Sequence, residues 1–362
     1  MKVEKLQVTN FRNLEDQIIS FSAGINCILG ENGNGKTNIL EALYVLATKK
    51  SFRKNAGFPQ YLGMDGEKQE ILFNSVFRSE EDKQISLSGK MNEDASSFYM
   101  NGKPIKRINN IKMVFINPFD SYSFHNTPGF RRTWFNQYIS MLSCNYKKTL
   151  TKYNTALRFR NNLLSKRPPH YRDQVNAIDR EIAKHSVIII NERLRFLDDI
   201  HSYCGDIFKE IFSEKHDLKI SLESKFLNLN ENEIFDALQE GLARDILIGR
   251  TTCGVHKDDY ILLFDGLNSY DYCSLGQQKM SFLSLLFAYI KLFRYKFNSY
   301  PIVLIDDVSG ELDKYRWRNL VSYLEKSNFQ VLITTANEKF KEELDRLEDA
   351  TRIFISSGSI TQ

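Results

Sequence analysis

Apolar positions in the first third of the chain follow the alternating pattern of strands. Residues 5–11 alternate polar and apolar side chains, and residues 71–77 and 84–88 form a β-rich stretch interrupted by charged turn residues. An Asn101-Gly102 pair between two further short apolar segments is the strongest local signal for a tight hairpin. This part of the chain therefore predicts an antiparallel β subdomain.

The middle of the chain has a helical period instead. From about residue 126 to 245, apolar residues recur mostly at spacings of three or four. Pro168-Pro169 divides this pattern into two helices of about 33 residues, each about 50 Å long at 1.5 Å per residue. We expect a helical insertion that forms a lever arm. Two ordinary helices packed on the core remain an alternative.

The last third returns to an α/β pattern. Residues 302–305 and 331–334 are predominantly apolar runs, which are typical of buried strands in parallel sheets. The whole pattern predicts an α/β fold with a mixed sheet, flanking helices, an antiparallel β subdomain and a helical insertion domain. The expected segments are 1–125 and 246–362, which together form one head, and 126–245, the helical lever-arm domain.

Residues 30–37 fit the phosphate-binding pattern G-x-x-x-x-G-K-[ST], between an apolar run at 24–29 and a helical pattern at 38–46. Glycines let backbone N–H groups surround phosphates, Lys36 can reach the β- and γ-phosphates, and the Thr37 hydroxyl can bind Mg²⁺. A glycine-rich turn with a surface lysine is the alternative. The predicted ATP-binding residues are Gly30, Glu31, Asn32, Gly33, Asn34, Gly35, Lys36, Thr37 and Asn38.

A second part of the same site follows the apolar run at 302–305, which ends at Asp306-Asp307. This is the Walker B pattern, in which Asp306 would hold Mg²⁺ opposite Thr37. Asp307 could polarise an attacking water, so Asp307 and Lys36 are the predicted catalytic residues. Phosphate loop and Walker B together indicate a P-loop ATPase with ATP and Mg²⁺ as its cofactors.

A third motif, in residues 273–279, resembles the signature of ABC-type ATPases and precedes a helix. In that class the signature acts in trans on nucleotide held by the partner subunit, which predicts an ATP-dependent homodimer. The alternative is that Ser274 only caps the helix. The predicted signature residues are Ser274, Gly276 and Gln277. The segment Gly310, Glu311, Leu312 and Asp313 resembles the D-loop, and the fold class becomes an ABC-type P-loop ATPase head.

Composition excludes few functions. The 362 residues are 42% hydrophobic and 26% charged, with 49 Lys and Arg against 45 Asp and Glu. A net charge of +4 neither requires nor excludes nucleic acid. The five cysteines are scattered without C-x-x-C spacing, which predicts neither zinc nor disulfides. With no signal-peptide pattern and no long apolar run, we expect a cytoplasmic protein without a membrane partner.

One short basic run follows the helix of the phosphate loop. Lys49, Lys50, Arg53 and Lys54 flank an aromatic residue, a combination that suits contact with DNA phosphates. A solvated charged surface is the alternative. Weaker candidates are Arg131-Arg132, Lys147-Lys148 and Arg158 with Arg160. Phosphate contacts would recognise the form of DNA, a duplex or a single-strand to double-strand junction, rather than a base sequence.

Over nearly its whole length the chain resembles the RecF family of bacterial recombination mediators, which is related to SMC and other chromosome-associated ABC-type ATPases. Val255 stands where that family usually has proline, and Gly310 where its D-loop usually has serine. The markers of the resemblance are Thr9 to Asn13, the phosphate loop with Asn38 and Glu41, Ser51 to Arg53, Arg131-Arg132, Arg160-Asn161, Gly254 to Asp259, the signature, the Walker B acids and Ile333 to Thr335.

The resemblance implies a weak, DNA-dependent ATPase whose main role is ATP-dependent DNA binding. Such a protein would dimerise on ATP, hydrolyse it slowly, and help RecO- and RecR-type mediators load RecA at single-strand gaps. It would serve DNA repair, recombination, replication restart and the SOS response. The alternatives are another SMC-like protein, an ATP-gated nuclease, or a transport ATPase subunit. A transport subunit would carry a switch histidine after the 331–334 strand, and this sequence has none there.

Overall fold

The computed structural model describes residues 1–53, 56–63, 69–106, 108, 111–117, 119–212, 216–307, 312–335 and 338–362. The chain forms two compact units. The first, here called the head unit, comprises Met1–Asp120, Glu210–Ser213 and Phe293–Gln362. The second, the helical unit, comprises Ser121–Lys209 and Glu214–Leu292. The division into 1–125, 126–245 and 246–362 stays a prediction, and residues 246–292 cluster here with the helical segments.

The secondary-structure elements are numbered along the chain. The strands are β1 (Lys2–Thr9), β2 (Ile18–Ser20), β3 (Ile25–Leu29), β4 (Ile71–Arg78), β5 (Gln84–Met91), β6 (Ser96–Met100), β7 (Lys103–Pro104), β8 (Met113–Ile116), β9 (Leu218–Glu223), β10 (Asp259–Phe264), β11 (Leu267–Asn268), β12 (Ile302–Asp306), β13 (Val331–Thr335), β14 (Thr351–Ser356) and β15 (Ser359–Thr361). The helices are α1 (Lys36–Thr48), α2 (Phe58–Tyr61), α3 (Asp120–Asn126), α4 (Pro128–Leu142), α5 (Cys144–Lys166), α6 (Tyr171–Phe212), α7 (Glu231–Glu240), α8 (Leu242–Ile248), α9 (Ser269–Tyr272), α10 (Leu275–Phe297), α11 (Lys314–Glu325) and α12 (Glu338–Asp345).

A mixed six-stranded sheet organises the head unit, in the order β15-β14-β3-β13-β12-β8. All neighbours are parallel except β14 and β15, which form an antiparallel hairpin. Every residue of β3, β12 and β13 is buried, as is typical of strands in a parallel sheet. Because the strands are parallel, the carboxyl ends of β3, β13 and β12 lie side by side at one edge of the sheet.

The predicted antiparallel subdomain is a second six-stranded sheet, β2-β1-β4-β5-β6-β7. Asn101 and Gly102 form the tight turn between β6 and β7, both with positive φ. Buried residues of α1, including Leu40 and Leu43, belong to one hydrophobic core with residues of both sheets. The helix that follows the phosphate loop is therefore fixed by packing from two sides.

In the helical unit the first long helix is not continuous. The apolar spacing predicts one helix up to about Lys166, but α4 ends at Leu142 and α5 begins at Cys144. Ser143 between them has extended backbone angles, and its side chain accepts a hydrogen bond from the Tyr146 N–H. This N-cap starts a new helix at that point. The second predicted helix is longer than expected, since α6 continues to Phe212.

Among the described residues of the helical unit, two arginines are buried, and each is paired with at least one carboxylate. The Arg160 guanidinium donates to Asp179 at 2.5 Å and to Asp245 at 2.6 Å, and all three side chains are buried. Arg193 donates to Asp258 at 2.6 Å. Arg160 is fully enclosed, so the prediction that it contacts DNA is wrong. Its charge instead holds α5, α6 and α8 together.

Candidate nucleotide-binding site

The phosphate loop connects β3 to α1 at the carboxyl edge of the mixed sheet. Gly35 ends the loop with a φ of 111°, a backbone conformation that favours glycine. Gly30 lies so close to β14 that an added Cβ would sit 2.3 Å from the Ile355 carbonyl oxygen. A side chain at either position would therefore displace the loop. The strand, loop and helix stand in the order that the sequence motif requires.

Lys36 begins α1 and is buried against its own loop. Its ammonium group donates to the Gly30 carbonyl at 2.8 Å and to the Glu31 carbonyl at 2.7 Å. Burial lowers the pKa of Lys36, and the nearby carboxylates of Asp307 and Asp306 oppose that shift. A cation held at this point beside two acids is placed to meet an anionic ligand on the loop.

Thr37 and Asp306 meet across the sheet edge. The Thr37 hydroxyl lies 2.8 and 3.0 Å from the two carboxylate oxygens of Asp306. Burial raises the pKa of Asp306, and hydrogen bonds from Thr334 and Thr37 counteract the rise. Mg²⁺ favours such oxygen donors and is usually held by one or two protein groups together with phosphates. The pair therefore fits the predicted metal role, and the described residues hold no cluster of three or more His, Cys, Asp or Glu that could bind a metal.

Asp307 follows Asp306 in a strained conformation, with a φ of 37°. Its N–H group donates to the Thr334 carbonyl and to the Thr334 hydroxyl, both at 3.2 Å. Non-glycine residues with positive φ persist only where the surroundings hold them, and they cluster at functional sites. The structure thus brings together Lys36, Thr37, Asp306 and Asp307, as the sequence motifs predict.

Two segments distant in sequence brace the phosphate loop. The Asn13 amide donates to the Gly33 carbonyl at 3.2 Å and accepts from the Asn38 amide at 2.7 Å. From the other side, Gly358 in the β14–β15 turn donates its N–H to the Asn34 carbonyl at 3.1 Å. In the sequence, Asn13 is a marker of the family resemblance, and no motif assigns it a role. Its contacts cannot be predicted from the sequence, because only the fold brings Asn13 beside the phosphate loop.

The signature segment lies in the helical unit, at the start of α10. The Ser274 hydroxyl accepts from the Gln277 N–H at 3.3 Å, and the Gln277 side chain accepts from the Ser274 N–H at 3.0 Å. This reciprocal pair is a capping box, so the capping role of Ser274 is present. Ser274 is exposed, and Gly276 and Gln277 are half-buried. Capping and contact with a partner's nucleotide are thus both open to this segment.

Only part of the predicted D-loop can be placed. Gly310 and Glu311 lie outside the described residues. Leu312 is buried. The Asp313 side chain caps α11 by accepting from the Arg316 N–H at 2.8 Å.

The predicted DNA-contacting residues differ in their surroundings. The Lys49 ammonium donates to two backbone carbonyls and lies 4.5 Å from the Phe98 ring centre, and burial lowers its pKa. Arg53 donates to the Asn38 side chain at 2.8 Å and pairs with the fully buried Glu41 at 3.5 Å. Lys50 is exposed, and Lys54 lies outside the described residues.

Contacts with neighbouring side chains further reduce the number of residues that remain candidates for contact with DNA. Phe52, the aromatic residue of the basic run, is stacked on Phe115 with ring centres 3.7 Å apart. Arg131 forms a bidentate pair with Asp259. Lys147 and Lys148 are exposed. Among the described basic residues of this run, Lys50 is exposed, whereas Lys49 and Arg53 are half-buried.

The strand order, the phosphate loop and the Walker B acids define an ABC-type P-loop ATPase head. A family model described as "RecF/RecN/SMC N terminal domain" matches residues 2–358. The chain belongs to this family, and within it to the RecF proteins. It is 31% identical to the DNA replication and repair protein RecF of Lachnoclostridium phytofermentans, over 99% of this chain and 100% of that protein.

Solved structures agree. A structure of the recombination mediator protein RecF-ATPrS in the RecFOR pathway shares 26% identity, with a TM-score of 0.85, and the match covers 99% of this chain and 97% of that one. The Smc head domain of Pyrococcus furiosus, solved with the C-terminal domain of ScpA, has a TM-score of 0.58 at 17% identity, over 99% of this chain and 95% of that one. This second likeness concerns the fold alone. In the part of the chain that is described, no helix is long and apolar enough to cross a membrane.

Proposed function

We propose that this protein is an ATP-binding DNA replication and repair protein that acts as a recombination mediator. Its role would be to bind DNA in the ATP-bound state, to hydrolyse ATP slowly, and to help RecO- and RecR-type mediators load RecA at single-strand gaps. It would serve repair, replication restart and the SOS response in the cytoplasm. The observation that carries the proposal is the distance of 2.8 Å between the Thr37 hydroxyl and an Asp306 carboxylate oxygen, beside the phosphate loop. The match of a RecF relative over 99% of the chain supports it.

The proposed mechanism is a clamp of two copies. In each copy residues 30–38 would hold the triphosphate, and Thr37 and Asp306 would hold Mg²⁺, which when bound neutralises phosphate charge. Ser274, Gly276 and Gln277 of the other copy would close over the γ-phosphate, with the D-loop residues 310–313 beside them. The exposed position of Ser274 at a helix start supports this, because helix N-termini favour anions. Asp307 would orient the attacking water, and hydrolysis would reopen the clamp.

Sedimentation with and without ATP tests the clamp. We expect wild-type protein to dimerise with ATP and Ser274→Arg to stay monomeric while still binding nucleotide. Ser202→Arg, the same change at an exposed serine of α6, is the matched control and should dimerise normally. Lys36→Met should lose nucleotide binding, and Asp307→Asn should accumulate the closed dimer. Normal ATP-driven dimers of Ser274→Arg would refute the trans arrangement.

DNA contact is tested at Lys50 rather than at Arg53. Lys50→Glu should weaken ATP-dependent DNA binding and reduce the salt dependence by about one phosphate contact. Lys219→Glu changes the net charge equally at an exposed lysine outside the candidate DNA-contacting residues and serves as the control. Equal affinities and equal salt slopes for the two variants would remove the basic run from the DNA surface.

A further inference from the structure

Thr334 is the last residue but one of β13, the strand that lies between the phosphate-loop strand β3 and the Walker B strand β12. It is paired in register with Asp306 on one side and with Ile28 on the other. Its side chain is 1% exposed. The fold therefore places a buried hydroxyl group at the middle of the edge where the phosphate loop and both acids meet.

This hydroxyl contacts both aspartates, one through its carboxylate and the other through its backbone. It donates to Asp306 Oδ1 at 2.7 Å, and it accepts from the Asp307 N–H at 3.2 Å. A threonine hydroxyl has one proton to donate and lone pairs to accept, so the two bonds are compatible. Valine has the same shape without the hydroxyl and would leave both acids without this partner.

We infer that Thr334 is a positioning residue for the ATPase site: its hydroxyl sets the orientation of the Asp306 carboxylate toward Mg²⁺ and holds Asp307 in its left-handed conformation. The inference rests on the proposed ATP-binding function and assigns a role that the sequence motifs do not. Outer partners of metal-binding groups commonly change metal affinity by about 10- to 100-fold when they are removed.

The geometry explains why a second partner is needed. The Thr37 hydroxyl is bonded to Asp306 and is also the group that would turn its oxygen toward Mg²⁺. Thr334 contacts the same carboxylate from the neighbouring strand, and it is not one of the predicted Mg²⁺ ligands. It can therefore keep the carboxylate in place whichever way the Thr37 hydroxyl points. The Asp307 N–H donates to both the carbonyl and the hydroxyl of Thr334, and these two bonds fix the backbone of Asp307 in the same way.

The test measures the Mg²⁺ concentration that gives half-maximal binding of a fluorescent ATP analogue. We compare wild type with Thr334→Val, Thr334→Ala and Thr334→Ser. The two hydroxyl-free variants should need about 10-fold more Mg²⁺ or higher, while their binding in EDTA stays within about twofold of wild type. Thr334→Ser keeps the hydroxyl and should behave as wild type. Thr149→Val removes a hydroxyl from a buried threonine of α5, in the helical unit, and should leave the Mg²⁺ midpoint unchanged.

Each outcome decides between explanations. An unchanged Mg²⁺ midpoint in Thr334→Ala or Thr334→Val, with folding verified by thermal unfolding, overturns the inference. An equal loss of binding with Mg²⁺ and with EDTA shows a general packing role and overturns it as well. Failure of wild type to bind the analogue under any condition would instead refute the proposed function, and the inference with it.

Discussion

The buried Arg160 gives a sharp test of the packing in the helical unit. Its guanidinium group has no solvent exposure and meets two buried carboxylates, Asp179 at 2.5 Å and Asp245 at 2.6 Å. The Thr251 hydroxyl accepts a further bond from it at 2.9 Å. Arg160→Met keeps much of the side-chain volume but removes the charge. Two carboxylates would then remain buried without their cation.

Removing one partner of a buried ion pair costs about 3–5 kcal/mol. Natural domains unfold with only about 5–15 kcal/mol, so the variant should lose a large share of the stability of this unit. At about 2–4 °C per kcal/mol for domains of 150–250 residues, the melting temperature should fall by about 6–20 °C. Urea unfolding followed by circular dichroism gives the free energy, and thermal unfolding gives the second measure.

Arg158→Met is the matched control, because Arg158 lies on the same helix with its side chain exposed and bonded only within that helix. It should change stability by less than about 0.5 kcal/mol. Burial already raises the pKa of Asp179 against the effect of Arg160. Without Arg160 the folded state should bind more protons, so the gap between Arg160→Met and wild type should narrow as the pH falls from 7 to 5. A loss no larger than that of Arg158→Met would refute the reasoning.

Three further predictions follow from buried or strained positions. Burial lowers the pKa of His125 to about 4, so the unfolded state takes up a proton at a higher pH than the folded state does. The free energy of unfolding should therefore fall by up to about 3 kcal/mol between pH 6.5 and 4. In urea unfolding measured across this pH range, His125→Asn should show a smaller fall. Gly358→Ala would place a Cβ 1.7 Å from the Asn13 carbonyl oxygen and should weaken ATP-analogue binding, whereas Gly102→Ala, also at positive φ but with open space, should not. In a thiol titration the exposed Cys144 should react quickly, while Cys27 and Cys204, whose pKa burial raises to about 12, should react only on unfolding.

The elements that were predicted well are those whose signal is local. Residues 302–305 and 331–334 could be recognised as buried strands because every position except Thr334 is apolar. The hairpin at Asn101-Gly102 was recognisable because few residue pairs tolerate its backbone angles. The break at Ser143 was missed for the opposite reason. Leu142 and Tyr146 are four residues apart, so the helical period continues across the break and only the capping serine marks it.

Side-chain networks could not be predicted, because their members are far apart in sequence. Arg160 looks like an exposed cation on a polar helix until Asp245, 85 residues later, is brought against it. Thr334 stands 28 residues from the carboxylate that it contacts, and Asn13 stands 20 residues from the Gly33 carbonyl. Periodicity reports which face of an element is buried, but not which polar group will meet another across two elements.

The position of Arg53 changes how any experiment on the basic run must be interpreted. Its guanidinium group contacts Asn38 and Glu41, both on the helix of the phosphate loop. Glu41 is fully buried and also bonded to Arg12 and Ser51, so reversing the charge at Arg53 would place two carboxylates together beside that helix. Loss of DNA binding in an Arg53→Glu variant could then arise from a displaced phosphate loop. Lys50 is exposed beyond this network, and a defect at Lys50 with intact nucleotide binding is therefore the result that would identify a DNA contact.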